Sequence, residues 1–184
     1  VRLSLTSKKE ILSLLKLLEK KEMYTEALDV LQEAELESKM AWDKVRFHLK
    51  LRQPMDAMKV LMSLVTKDPA NLRARAYTAA ILFKIGNSEN TINSSIEHLT
   101  SLIESDDFSL AHHFLGKIFL SQTSEDFQRA KIHLEKSIDF RPNNRRVQYD
   151  LARTYLALGE LDNLEMLLPK LYEITELEGN GIID

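Results

Sequence analysis

The stretch SLAHHFLGKIFLSQTSEDFQRAKIHLEKSIDFRP, residues 109–142, decides how the chain folds. Leu115, Gly116 and Phe119 recur at the spacing of one helix face, and Ala130, Leu134 and Ser137 do the same further on. Between them Gln122-Thr123-Ser124-Glu125 has the polar composition of a turn. Pro142 closes the second helix, because its ring removes a backbone donor and disfavours helix in the residue before it. Small residues at Gly116 and Ala130 suit a place where two helix backbones cross closely, and Phe119 and Leu134 fill the space around such a crossing. The unit reads as helix, turn, helix.

The same arrangement appears on both sides of this stretch. A first unit opens with Ser7-Lys8-Lys9-Glu10, a capping box that satisfies orphan backbone N–H groups. Ile11, Leu14, Leu15 and Leu18 follow at helical spacing, and after Glu19-Lys20-Lys21-Glu22 come Tyr24, Ala27, Leu28, Leu31 and Ala34. A second carries Trp42, Val45, Leu49, Ala57, Leu61 and Leu64 and closes with Asp68-Pro69. A third starts at Arg73 with Ala76, Ala79, Ala80 and Phe83, passes a longer turn at Gly86–Asn90, and continues with Ile96, Thr100 and Ile103. The fifth has Leu151, Ala152, Tyr155, Gly159, Leu164, Leu168 and Leu171. Asn71 and Asn144, each just after a proline, are expected to cap the helices they precede. Pro169 falls inside the last helix, where it is expected to remove a hydrogen bond and kink it.

The pattern resembles the tetratricopeptide repeat, with its large residue, Leu-Gly and aromatic on the first helix and small, large and small residues on the second. Residues 115, 116, 119, 130, 134, 137 and 142 carry the clearest match. The resemblance implies an all-α fold, a right-handed α-α superhelix of about five repeats at 8–38, 39–72, 73–108, 109–144 and 145–178, with a tail at 179–184. It implies one domain over 1–184, and the opening at Val1 is read as the edge of a piece of a longer chain. It further implies that the first helices line a concave groove holding a segment of a partner protein. The expected groove residues are Lys16, Phe47, Lys50, Tyr77, Lys84, His113, Lys117, Arg146, Tyr149 and Arg153, a cation in every repeat with aromatics interleaved. Such a face suits a partner with acidic residues beside an aromatic or apolar anchor. Some relatives of this kind hold a chaperone C-terminal carboxylate in a clamp of Lys and Asn. The matching positions here include Lys9, Lys16 and Lys44 but also Leu12, Ser13 and Phe47, so that clamp is broken.

Composition sets the bounds of function. The 184 residues are 44% hydrophobic and 29% charged, enough apolar material for a core and too much for disorder. A formal net charge of -3 gives no global basic field for nucleic acid or an acidic membrane, so an RNA-binding helical repeat is the alternative rather than the leading reading. The apolar runs are short and broken by Lys, Glu or Ser, so no segment is expected to span a bilayer. No cysteine is present, which excludes disulfides, thiolate metal sites and a thiol nucleophile. His112 and His113 are adjacent and diverge by about 100° on a helix, and His48, His98 and His133 lack a second ligand at helical spacing. No metal and no cofactor are expected. The sequence has no P-loop, no G-x-S-x-G and no H-E-x-x-H, so binding is expected rather than catalysis.

Overall fold

A computed structural model describes residues 8–33, 38–86, 88–105 and 108–179 of the protein. Among the described residues there are ten α-helices, one short 3-10 turn at Ser124–Asp126 and no strand. The helices are α1 (Lys8–Lys20), α2 (Tyr24–Glu33), α3 (Ser38–Lys50), α4 (Pro54–Lys67), α5 (Leu72–Ile85), α6 (Glu89–Ser105), α7 (Ser109–Leu120), α8 (Phe127–Phe140), α9 (Arg145–Leu158) and α10 (Leu161–Gly179). They fall into two compact units, Val1–Ile85 with α1 to α5 and Gly86–Asp184 with α6 to α10.

In the first unit each helix packs on the next in sequence. Ile11, Leu15 and Leu18 of α1 meet Ala27 and Leu31 of α2 and Met40 and Phe47 of α3 in one buried cluster. A second cluster joins Val45 of α3, Ala57, Met58, Leu61 and Leu64 of α4, and Ala74 and Ile81 of α5. Helix α3 therefore carries two apolar stripes, one toward α2 and one toward α4. A single-faced amphipathic helix would bury only one such stripe.

In the second unit α7 and α8 form the tightest crossing. An added Cβ on Gly116 would lie 2.5 Å from Leu134 Cγ and 3.3 Å from the Ala130 carbonyl oxygen, so only glycine allows this approach. Buried Ser109 and Ser137 bridge the same pair of helices: Ser137 Oγ donates to Ser109 O at 3.0 Å and Ser109 Oγ donates to Ser137 O at 3.2 Å. Leu134 continues into a cluster with Val147, Leu151 and Tyr155 of α9 and Leu167 of α10. Lys131 Nζ reaches both carboxylate oxygens of Glu160 at 2.8 Å, and Glu160 also accepts from Asn163 Nδ2 at the start of α10.

The turns repeat as well. At Glu22, Arg52 and Gly159 the backbone is left-handed, with φ of 56, 58 and 72°. Each is followed by the same bond closing the helix end: Met23 N–H to Leu18 O, Gln53 N–H to His48 O and Glu160 N–H to Tyr155 O. The proline turns match each other too, with Asn71 N–H bonded to Asp68 O and Asn144 N–H to Arg141 O, both at 3.1 Å.

Several expectations shift. Asn71 caps α5 by accepting the Ala74 N–H at 2.9 Å, whereas the Asn144 side chain caps nothing and only its backbone carbonyl serves α9. In α6 the buried residues are Ser95, Leu99 and Leu102, one position before the expected Ile96, Thr100 and Ile103. In α10 Leu164 and Leu171 pack against the core cluster as expected, but Leu167 is the buried residue there and Leu168 is 37% exposed. Helix α10 continues through Pro169 from Leu161 to Gly179. Ser7, Ala34 and the residues of the tail from 180 onward lie outside the described residues.

Candidate functional site

The expected groove residues divide between the two units. In the first, Lys16, Lys50 and Lys84 are exposed and have no ion pair among the described residues. Tyr77 is half-buried with its ring edge against Trp42 at 5.6 Å, and the Arg73 guanidinium lies 4.1 Å above the Trp42 ring. Trp42 and Arg73, which stack beside the expected Tyr77, were not among the expected groove residues, because Trp42 matched a filling position. Phe47 is a correction. Its side chain is wholly buried in the α1, α2 and α3 cluster, tilted against Tyr24 at 5.9 Å, so it cannot be presented to a partner in this conformation.

In the second unit, Lys117 of α7 and Arg146 and Tyr149 of α9 come together with Arg145 and Asp150 around an open cavity of about 290 Å³. Lys117 and Arg146 are exposed and have no ion pair among the described residues. Tyr149 is 63% exposed, high for a large aromatic ring. Helix periodicity places these groups: Arg145, Arg146, Tyr149 and Arg153 lie on one side of α9, while Val147, Leu151 and Tyr155 face the core. His113 is the second correction. It is buried, and its Nε2–H donates to Asp150 Oδ2 at 3.0 Å, so it supports the cavity wall from within rather than facing a partner. Arg153 is exposed and its Nη1 stands 4.0 Å from Asp150 Oδ1.

Two further groups have strongly perturbed ionisation, and both belong to packing. His112 Nδ1 and His133 Nδ1 face each other across α7 and α8 at 2.9 Å, one donating and the other accepting. Burial, then the neighbouring His112, Lys136 and Arg129, hold His133 down at about 4. Burial and the hydrogen bond to Glu135 raise the Tyr155 phenol well above its usual value, the O–H donating to Glu135 Oε1 at 3.0 Å. The two histidines lie 21 residues apart, so no local spacing signals their contact. Among the described residues no group of three or more His, Asp or Glu is arranged to hold a metal, and no helix is long and apolar enough to cross a membrane.

No protein-family model and no curated protein matches the chain. Its structure is similar to that of TTC0263, a thermophilic TPR protein in Thermus thermophilus, with a TM-score of 0.71, 18% identity and 91% of each chain covered. It is also similar to MamA, with a TM-score of 0.57 and 19% identity over 89% of this chain and 95% of that one. A MamA fragment from Desulfovibrio magneticus RS-1 gives a TM-score of 0.56 and 16% identity over 95% and 97%. The chain has the tetratricopeptide-repeat fold.

Proposed function

We propose that this protein is an interaction scaffold that binds a segment of another protein, rather than an enzyme. The observation that carries the reading is the α7 and α9 face, where Lys117 and Arg146, which have no ion pair among the described residues, stand beside an exposed Tyr149. An isolated lysine on a helix is a solvated charge, but unpaired cations around a concavity with an exposed aromatic supply both steering and an anchor. Lys16, Lys50 and Lys84 with Tyr77, and the stacked Arg73 on Trp42, offer the same chemistry in the first unit. The partner segment would carry acidic residues next to an aromatic or apolar side chain. The fold is consistent with this role, but fold alone does not assign it, and the side chains make the case.

The test is a capture experiment with the chain as bait, compared with its Lys117→Glu/Arg146→Glu form. Partners of this face should be lost or weakened about tenfold or more in the variant at low salt, with folding unchanged. Equal recovery by both forms would remove this face from the binding surface.

A further inference from the structure

We propose that the partner segment is an amphipathic helix lying along α9. Two of its apolar side chains, two turns apart, seat on Tyr149 and Leu156, and a row of acidic residues runs beside them. The proposal rests on the reading above that this face binds a protein, and it specifies the conformation and spacing of the segment. Leu156 is as exposed as Tyr149, 63% each, and was not among the expected groove residues. The two are seven residues apart, so they stand on one face of the helix about 10.5 Å from each other. Arg146 and Arg153 are exposed and also seven residues apart, in a second row about 40–60° round the helix from the first. A single exposed leucine is ordinary on a protein surface, but an aromatic and a leucine in one row flanked by cations form a seam.

The charges beside the apolar row complement an acidic helix. Arg146, and Lys117 of α7 next to it, have no ion pair among the described residues. Arg153, its side chain 61% exposed, stands at the outer limit of pairing with Asp150 at 4.0 Å. Asp150 is itself buried and accepts from His113 Nε2, which holds its charge back from the surface. The seven-residue step then selects the conformation of the partner. A helix returns to the same face after seven residues, so one helix can follow the apolar row and the cation row together, as in a coiled-coil seam. An extended strand places same-face side chains about 6.7 or 13 Å apart, and neither spacing fits Tyr149 and Leu156. A polyproline II chain comes nearer, at about 9.3 Å, so proline is one arm of the test.

The probes are three peptides of about 15 residues, four helical turns, titrated into the full chain at neutral pH while backbone amide shifts are followed. One is a helix locked by a side-chain lactam, with two leucines two turns apart and glutamates flanking them. The second has the same composition with its leucines on opposite faces, and the third keeps the leucine spacing but carries a central proline. The first should give saturable shifts concentrated in α7 and α9, with an affinity about tenfold or more above the other two. Leu156→Ala should weaken it about tenfold, whereas Met62→Ala, which removes a comparably exposed side chain from α4, should not. Melting temperatures verify that both variants fold. Equal binding by either control peptide, no saturation by the first at millimolar concentration, or parent-like binding in Leu156→Ala would each overturn the proposal. Self-association of the chain that Leu156→Ala abolishes would overturn it in favour of a second copy on this face. A captured protein that needs Lys117 and Arg146 but not Leu156 would leave the scaffold reading standing and sink this one.

Discussion

Gly116 and Leu134 are packed so closely that an added Cβ on Gly116 would stand 2.5 Å from Leu134 Cγ and 2.7 Å from its Cδ2. Leu134 is fully buried between α7 and α9 and has little room to retreat. Gly116→Ala should therefore cost about 1–3 kcal/mol, and Gly116→Leu more, as overpacking of a tight crossing does. Leu134→Ala removes the obstacle but leaves a cavity costing about 2–5 kcal/mol. The double variant Gly116→Ala/Leu134→Ala should then be more stable than the sum of its parts predicts, measured by chemical denaturation. Strict additivity would mean that the two residues do not press on each other.

Gly159 is required for a different reason. A Cβ there would meet nothing within 4 Å, but φ is 72°, a left-handed conformation that side chains resist. Gly159→Ala should cost about 1 kcal/mol through the backbone alone. Arg52 occupies the matching turn with φ 58° and Glu22 with φ 56°. Arg52→Gly should be neutral or stabilise by a few tenths of a kcal/mol, because strain relief is offset by added freedom in the unfolded chain. Thermal melts of both variants check the pair, and a strongly destabilised Arg52→Gly would contradict the shared turn.

Tyr155 is buried and its O–H ends on Glu135 Oε1. Tyr155→Phe keeps the ring and removes the donor to a charged acceptor, so it should cost about 1–2 kcal/mol. Glu135→Gln should cost less, since an amide oxygen still accepts. If Tyr155→Phe melts with the parent protein, the hydrogen bond contributes nothing net.

Stability should fall on mild acidification because of His133. Its folded value is about 4, below the 6.5 of an unfolded histidine, so between those values the unfolded chain binds the extra proton. The stabilisation is complete above about 6.5 and is lost progressively as pH drops toward 4. With screening of its partly exposed ring, the loss is on the order of 1–2 kcal/mol. His133→Gln should be less stable at pH 7.5 but flatter between pH 7 and 5. An NMR titration placing the His133 midpoint above 6 would reject the argument.

Helix type and the small and large crossing positions were readable from sequence, since Gly116, Ala57, Ala130, Leu61 and Leu134 all sit where the repeat places them. The α6 register was not. Ser95 looks like a surface residue, yet its Oγ–H donates to Thr91 O at 2.8 Å, so it can be buried in the place of an alanine. Ile96 and Ile103, more apolar, drew the expected stripe one residue along, which rotates a helix face by about 100°. The site was partly legible for a similar reason. Exposed cations on α9 follow from its periodicity, whereas Phe47 was misplaced because α3 is packed from two sides and leaves only a narrow solvent face. His113 and Asp150 are 37 residues apart, so their bond is visible only in three dimensions.

Tyr149 and Phe47 separate binding from folding. Both were expected to contact a partner, but Tyr149 is 63% exposed and Phe47 is wholly buried. Tyr149→Ala should leave the melting temperature nearly unchanged and weaken the partner by about 1–3 kcal/mol, chiefly by faster dissociation. Phe47→Ala should instead destabilise the first unit by about 3–5 kcal/mol, and any binding it loses should return under conditions that restore folding. Lys117→Glu/Arg146→Glu should act on the other rate, slowing association and flattening its dependence on salt, because these charges steer encounter before contact is made. Association and dissociation rates measured for all three forms at two salt concentrations distinguish these roles. If Tyr149→Ala binds as the parent does while the charge reversal still acts, the face attracts its partner without anchoring it. The aromatic anchor would then lie in the Trp42, Arg73 and Tyr77 stack of the first unit.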